Sequence, residues 1–229
     1  MISVIIPARN EALNLPRLLT RLNGMKDVYE IIVADGGSSD ATLAVAKQMG
    51  AKVVEGARGR GAQQNLAANQ AKGDVLWFLH ADVLPAHGCG RQIQKALRTG
   101  AVGGNFRMRF QSRGLWPRGF EIVARIHRSR DTYYGDSGIW VTREVWDELG
   151  GFAQWPLFED LDFVRRLEKS TLERGAKTVC CPGRLHVSAR RFAKAPWRVL
   201  WLWITLQMAF DRGVSTDKLA KLYHGASKG

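Results

Sequence analysis

Short apolar runs alternate with segments of helical period through the first hundred residues. The runs at 2–6, 30–34, 51–55 and 75–79 are each too brief for a helix and carry the apolar density of strands buried on both faces. Between them, 11–22 places Leu15, Leu18, Leu19 and Leu22 at i, i+3, i+4 and i+7, the stripe of an amphipathic helix. A second helix is expected over 41–49, with Ser39 or Asp40 available as cap and Gly50 to close it. A basic, Gly-rich loop at 56–61 leads into a third over 62–71. This alternation predicts βαβ units and a mostly parallel sheet, an α/β fold.

The second half is less regular. Strands are expected at 101–110, 139–141 and 177–180, and helices at 115–130, 143–149, 158–169, 196–212 and 216–223. Gly150-Gly151 stops the helix at 143–149. No internal repeat, low-complexity segment or linker-like run divides the chain, so one domain over 1–229 is expected.

Charge changes the picture more than composition does. Thirty-four Lys and Arg against twenty-one Asp and Glu give a net charge of +13 and a pI near 10.2, a field that favours phosphates, nucleic acid or an acidic membrane surface. Cys89, Cys180 and Cys181 show no metal-ligand spacing, and their odd number argues against a disulfide framework, so a reducing compartment is expected. The N-terminus runs straight into an apolar strand without a basic leader. The apolar stretch 199–210 is well short of the ~20 residues a spanning helix needs. A cytoplasmic protein, soluble or resting on the inner face of a membrane, is the expectation.

The candidate chemistry begins where the fourth strand ends, at His80-Ala81-Asp82, with Pro85 close behind. Carboxyl ends of strands are where open α/β sheets bind ligands, so His80 and Asp82 can face one crevice and hold a divalent ion. Equally, Asp82 can cap a following helix while His80 packs. Strand one delivers Pro7, Arg9 and Glu11 to the same edge, and strand two delivers Asp35, which can accept from a nucleobase N–H or simply form the turn before Gly36-Gly37. No G-x-G-x-x-G follows strand one and no Walker A sequence is present. Arg60, in Gly59-Arg60-Gly61, can approach phosphates or sit in a plain loop.

Two further clusters follow. Glu159, Asp160 and Asp162 crowd the start of a helix, where they suit its dipole; crowding also raises one pKa and prepares a general base. An apolar approach including Trp155 would help desolvate it. Farther on, 184–210 holds five cations and no acid: Arg190 and Arg191 can clamp a pyrophosphate, and His186 can join Asp82 at a metal or stay a surface residue. Trp197, Trp201 and Trp203 beside basic residues at 196–210 suit a membrane interface, as do the seven arginines against one Glu at 107–130; packing on the sheet or a homodimer contact are the alternatives.

Four stretches in this order resemble the inverting family 2 glycosyltransferases of the GT-A fold: Val4-Ile5-Ile6-Pro7-Ala8-Arg9-Asn10-Glu11, Ile32-Val33-Ala34-Asp35-Gly36-Gly37-Ser38-Ser39-Asp40, Leu79-His80-Ala81-Asp82 and Gly150-Gly151-Phe152 with Glu159-Asp160. Gly59-Arg60 with Gln63-Gln64-Asn65, and Tyr134-Gly135-Asp136, suggest a small bacterial-type branch. The resemblance implies a nucleotide-binding half over 1–100 and an acceptor-facing half over 101–229. Pro7, Arg9, Glu11 and Asp35 would take a nucleoside, commonly with uracil, and Asp82 would hold Mn²⁺ or Mg²⁺ against the diphosphate. Asp160 would deprotonate the acceptor hydroxyl beside Glu159, with Asp136 and Trp155 on the acceptor side. It implies a UDP-sugar donor and a hydroxyl acceptor; the membrane-facing reading of 196–210 adds the expectation of a lipid-linked or amphiphilic acceptor, and no specific nucleic acid is expected.

The chain departs from the pattern at His80, where the family's Asp-x-Asp has its first Asp, and at Gln64, where an Arg is common. Ala189-Arg190-Arg191-Phe192 only echoes the Gln-x-x-Arg-Trp of processive synthases. The rival readings are a sugar-phosphate nucleotidyltransferase, against which the missing Lys-bearing Gly-rich loop counts, and a non-catalytic basic binder of membrane or nucleic acid. No helix-turn-helix, RNA-recognition or zinc-finger pattern supports the latter.

Overall fold

The computed structural model describes residues 1–111, 116–128, 131–188 and 195–226. Strand β1 (Ile2–Ala8) is buried at all positions, and its alternation sorts the core. Ile2, Val4, Ile6 and Ala8 face the cluster containing Leu15, Leu18, Leu19 and Leu22 of α1 (Leu15–Asn23), while Ile5 faces Ala67 and Ala68 of α3 (Arg60–Gln70). Parallel to β1 run β2 (Val28–Asp35) and β4 (Val75–Phe78), one on each side, with β3 (Lys52–Glu55) outside β2 and α2 (Thr42–Gln48) between them in sequence. Helix α1 begins later than periodicity suggested, because Pro16 fits the first turn and residues 11–14 instead form a turn on the carbonyl of Glu11.

Pro85 does not end the strand region. Residues Val83–Pro85 form a short β5 that pairs antiparallel with β8 (Lys177–Ser188) at the far edge of the sheet, before α4 (Cys89–Arg98). Pro tolerates such an edge because no ladder donor is needed from it. Strand β8 outruns the expected 177–180 because Cys181, Gly183, Leu185 and Val187 alternate inward to its end. The full order is β3-β2-β1-β4-β7-β6-β8-β5, with β6 at Ala101–Gln111 and β7 at Trp140–Thr142; only β7 and β5 run against their neighbours. Helices α5 (Trp116–Arg128), α6 (Arg143–Leu149) and α7 (Glu159–Glu173) flank this half, with a 3-10 turn at Gly135–Ser137.

A separate apolar cluster joins the start of α7 to α8 (Pro196–Asp211) and α9 (Thr216–Ala226): Leu157, Phe158 and Leu161 meet Leu206, Leu219 and Ala220. The inner side of the expected 196–212 helix therefore packs on the protein body. Among the described residues, no helix is long and apolar enough to cross a membrane.

Candidate active site

Parallel pairing brings the expected residues to one edge. The register Ala8↔Asp35 ends β1 beside β2, and Leu79 donates its N–H to the carbonyl of Ile5 (2.9 Å), so β4 delivers His80 and Asp82 beside the end of β1. One side chain clamps this edge. Gln63, from α3, donates through Nε2 to the carbonyls of Ala8 (3.0 Å) and Ala34 (2.7 Å), tying β1 to β2. A Cβ on Gly36 would lie 2.9 Å from that same Nε2, so only glycine admits the clamp.

Asp35 is buried at the end of β2, and its Oδ2 accepts from the N–H groups of Gly37 and Ser38, both at 2.8 Å; the Ser38 hydroxyl donates to Oδ1. The turn-forming role is thus present, with the carboxylate fixed where β1 and β2 open. Asn10 adopts a left-handed backbone (φ 56°) and accepts from Ser39 N–H through Oδ1 (2.9 Å), linking the loops after these strands. Arg9 is exposed there, Pro7 is buried in β1, and Glu11 N–H donates to the Thr42 hydroxyl at 2.8 Å.

Beyond β4 a cavity of about 600 Å³ opens, lined by Arg60, His80, Asp82, Asp136 and Asp160 at one end. Its other walls come from β6, α5 and α8, including Arg107, Arg109, Phe120, Val123, Leu200 and Trp203. Asp82 therefore faces the cavity and does not cap α4, whose N-terminus has Gly88 at that position.

Phe158 stands at the entrance to α7 with φ 64°, costly for a bulky residue, and is held there by rings of Trp203 (5.9 Å) and Phe210 (4.9 Å). This turn aims the two acids differently. Asp160 reaches the cavity, its Oδ2 accepting from Gly135 N–H at 2.7 Å and its Oδ1 from Leu161 N–H at 2.8 Å. Glu159 lies behind it, 1% exposed, with Oε1 3.4 Å from Arg60 Nε. Burial pushes the Glu159 carboxyl up to about 7, and Asp160 adds to this, while the Arg60 guanidinium pulls the other way. Arg60 in turn is held above its ordinary value: burial works against its charge, but Glu159 and Asp160 outweigh it.

Gly135, visible in the sequence only as part of Tyr134-Gly135-Asp136, sets the spacing here. A Cβ at that position would lie 2.9 Å from His80 Nε2 and 3.2 Å from Asp160 Oδ2. Sequence reasoning also missed the polar floor behind the cavity. Arg128, on α5, donates to Asn105 Oδ1 (3.0 Å) and the Thr178 hydroxyl (2.8 Å), pairs with Glu168 (3.4 Å), and stacks over Tyr133 at 4.6 Å. Asn105 donates to the Ser137 hydroxyl at 3.1 Å, completing a link from α5 to the turn bearing Asp136. The signal in the sequence was Asn105, a polar residue within the apolar first half of β6.

Of the expected residues, Pro7, Arg9, Glu11 and Asp35 stand at the strand ends and Glu159 behind Asp160, none of them lining the cavity, and His186 and Trp155 do not line it either. His186 lies on β8 opposite Leu84 and Arg109, and burial together with Arg109, Arg21, Arg17 and Arg184 holds its imidazole pKa down, a surrounding that repels cations. Trp155 packs edge-on against Phe210 (5.9 Å) and is not a wall of the cavity. Arg190 and Arg191 lie outside the described residues.

The donor set suits a hard divalent ion. Asp82 and Asp136 offer carboxylate oxygens with His80 nearby, and Mg²⁺-type ions are commonly held by one or two carboxylates with substrate phosphates and water filling the rest. Among the described residues no group of three or more His, Cys, Asp or Glu side chains is placed to hold a metal ion, so an ion there would depend on substrate phosphates and water.

Solved structures of the same architecture include the mannosyltransferase PcManGT of Pyrobaculum calidifontis with GDP-Man and Mn²⁺ (TM-score 0.68, 20% identity, 99% of this chain and 68% of that one). Another is glucosyl-3-phosphoglycerate synthase of Mycobacterium tuberculosis with Mn²⁺, UDP and phosphoglyceric acid (0.58, 23%, 78% and 67%). These likenesses show the GT-A fold. In sequence, the chain is 41% identical over 90 residues to 4,4'-diaponeurosporenoate glycosyltransferase of Staphylococcus haemolyticus, covering 36% of this chain and 24% of that protein. The matches to curated relatives span from about a quarter to about half of their length. The profile of "Glycosyl transferase family 2" matches residues 3–152, well over half the chain, from the first strand to the double glycine. By that match the chain belongs to glycosyl transferase family 2.

Proposed function

We propose that the protein moves a sugar from a UDP-linked donor to the hydroxyl of a lipid-linked acceptor, with inversion at the anomeric carbon and help from Mn²⁺ or Mg²⁺, while resting on a membrane surface. The observation that carries this reading is the convergence of Arg60, His80, Asp82, Asp136 and Asp160 on one cavity beside the ends of β1 and β2. Solved relatives of the fold with UDP or GDP-Man and Mn²⁺ support the donor class and the ion.

Asp35, with Pro7, Arg9 and Glu11 nearby, takes the nucleoside, and the donor's diphosphate runs across the end of β1 towards Asp82. When bound there, a divalent ion neutralises charge developing on the departing diphosphate. Arg60, anchored by Glu159, supplies a fixed positive charge to the same end. Asp160 accepts the proton of the acceptor hydroxyl as its oxygen bonds to the anomeric carbon. The bond from that carbon to the diphosphate oxygen breaks, and its electron pair leaves with the nucleotide. Attack from the face opposite the leaving group inverts the centre. Glu159 touches Arg60 and not the cavity, so it is a positioning residue.

Release of UDP from UDP-sugars, measured with and without Mn²⁺, tests the reading. Asp160→Asn keeps an acceptor for Gly135 N–H yet removes the base, so turnover should fall by ~10²–10⁴-fold with folding intact. Asp82→Asn should abolish the dependence on metal. Normal turnover in both variants would overturn the assignment.

A further inference from the structure

The outward sides of α5 and α8 form a surface that the catalytic reading does not use. On α8, Trp197, Trp201, Ile204 and Met208 recur at i, i+4, i+7 and i+11 and are all exposed, Trp201 at 71% and Trp197 at 60%, with Ile204 also lining the cavity. On α5, the exposed positions are Arg118, Ile122, Arg125 and Ile126, again one helical stripe, of which Arg125 also lines the cavity. The two helices meet where a Cβ on Gly119 would sit 3.9 Å from the Trp197 ring. Their stripes therefore form one apolar plate edged by Arg118, Arg125 and Arg198, all exposed.

Charge selects what covers this plate. Within α5 and α8 the acids are Glu121, directed to the Phe110 N–H (3.4 Å), and Asp211, bonded to Arg165 (2.5 Å). A second copy of the chain would bring like arginine edges together on a protein of net charge +13. Nucleic acid matches the charge and leaves two tryptophans and four other apolar side chains without a partner. An anionic bilayer meets both needs, since indole rings and aliphatic side chains enter the headgroup boundary while arginines pair with lipid phosphates.

We propose that the α5–α8 plate is the membrane-docking face of this protein, seated on anionic phospholipid. The inner sides of the same two helices, at Phe120, Val123, Leu200 and Trp203, line the cavity that holds Asp82 and Asp160, so the docked face is the back of the acceptor-side wall. This surface deepens the membrane side of the function proposed above and rests on that reading for its meaning, but its test uses no turnover.

The full chain would be sedimented with vesicles of phosphatidylglycerol and phosphatidylcholine, and with phosphatidylcholine alone, across a salt series. Expected are capture by the anionic vesicles alone, loss of capture as salt rises, and quenching of tryptophan emission by brominated lipid. Trp201→Ser with Ile122→Ser, both at exposed positions, should weaken capture at least tenfold while UDP and Mn²⁺ still raise the melting temperature equally. Arg118→Gln with Arg125→Gln should flatten the salt dependence. No capture at low salt, capture indifferent to the Trp201 and Ile122 substitutions, or a dimer in sedimentation velocity that those substitutions dissolve would each overturn the proposal. Failure of UDP to stabilise any variant would count against the nucleotide site instead.

Discussion

At the scale of single residues, the account turns on two consecutive acids given different surroundings. Glu159-Asp160 was legible in the sequence because adjacent acids at a helix start are conspicuous. Their division of labour was not, because it depends on the left-handed turn at Phe158 and on Arg60, a hundred residues away in sequence. Burial raises Glu159 from 4.5 to about 7, so its neutral form is favoured in the folded state. The associated stability is fully present below the unfolded value and is lost as pH rises through the folded one. Glu159→Gln, uncharged throughout, should therefore gain on the order of 1–3 kcal/mol over the wild type near about pH 8 and nothing near about pH 4.5. Urea titrations at the two pH values check this, and equal midpoints for both proteins at the higher pH would contradict it. The same substitution should lower turnover by loosening Arg60.

Gly135 belongs to the same scale. Its missing side chain is what lets His80 and Asp160 approach, a proximity no local pattern reveals. Gly135→Ala should cut turnover by about 10²-fold through displacement of reacting groups while shifting the melting temperature little. Steady-state kinetics beside a thermal melt would separate the two, and an unchanged kcat would contradict the geometry.

At the scale of elements, the βαβ half was readable because each strand and helix carries its own period, as Leu15, Leu18, Leu19 and Leu22 show. The other half was less so. Strand β5 spans Val83–Pro85, too short to declare itself, and its partner in β8 lies a hundred residues on. The β6–β8 pair also depends on a contact that sequence hides: Gly104 has φ 154°, and a Cβ there would lie 2.0 Å from the carbonyl oxygen of Val179. Gly104→Ala should destabilise by about 3 kcal/mol or more, since backbone must move. A denaturation midpoint unchanged from wild type would contradict this close approach. Helix α8 illustrates the opposite case, in which a pattern supports two readings at once. Its inner side packs on Leu157, Phe158 and Leu161, and its outer stripe remains exposed.

For the whole molecule, the order β3-β2-β1-β4 brings Asp35, the Pro7–Glu11 segment and Asp82 to successive places along one edge, and the chain's return through β7 and α7 places Asp136 and Asp160 opposite. Net charge predicted anionic partners without choosing among them; the choice came from where the apolar side chains stand relative to the arginines. His186 shows the limit of reading residue types alone, since a histidine among four arginines is a poor seat for a cation. The most direct test of the account is a crystal structure of the protein soaked with UDP and Mn²⁺. The account predicts the uracil at the end of β2 by Asp35, the ion on the Asp82 carboxylate, the diphosphate towards Arg60, and Asp160 facing the remaining open space of the cavity. A nucleotide lodged away from the ends of β1 and β4, or an ion bound without Asp82, would contradict it.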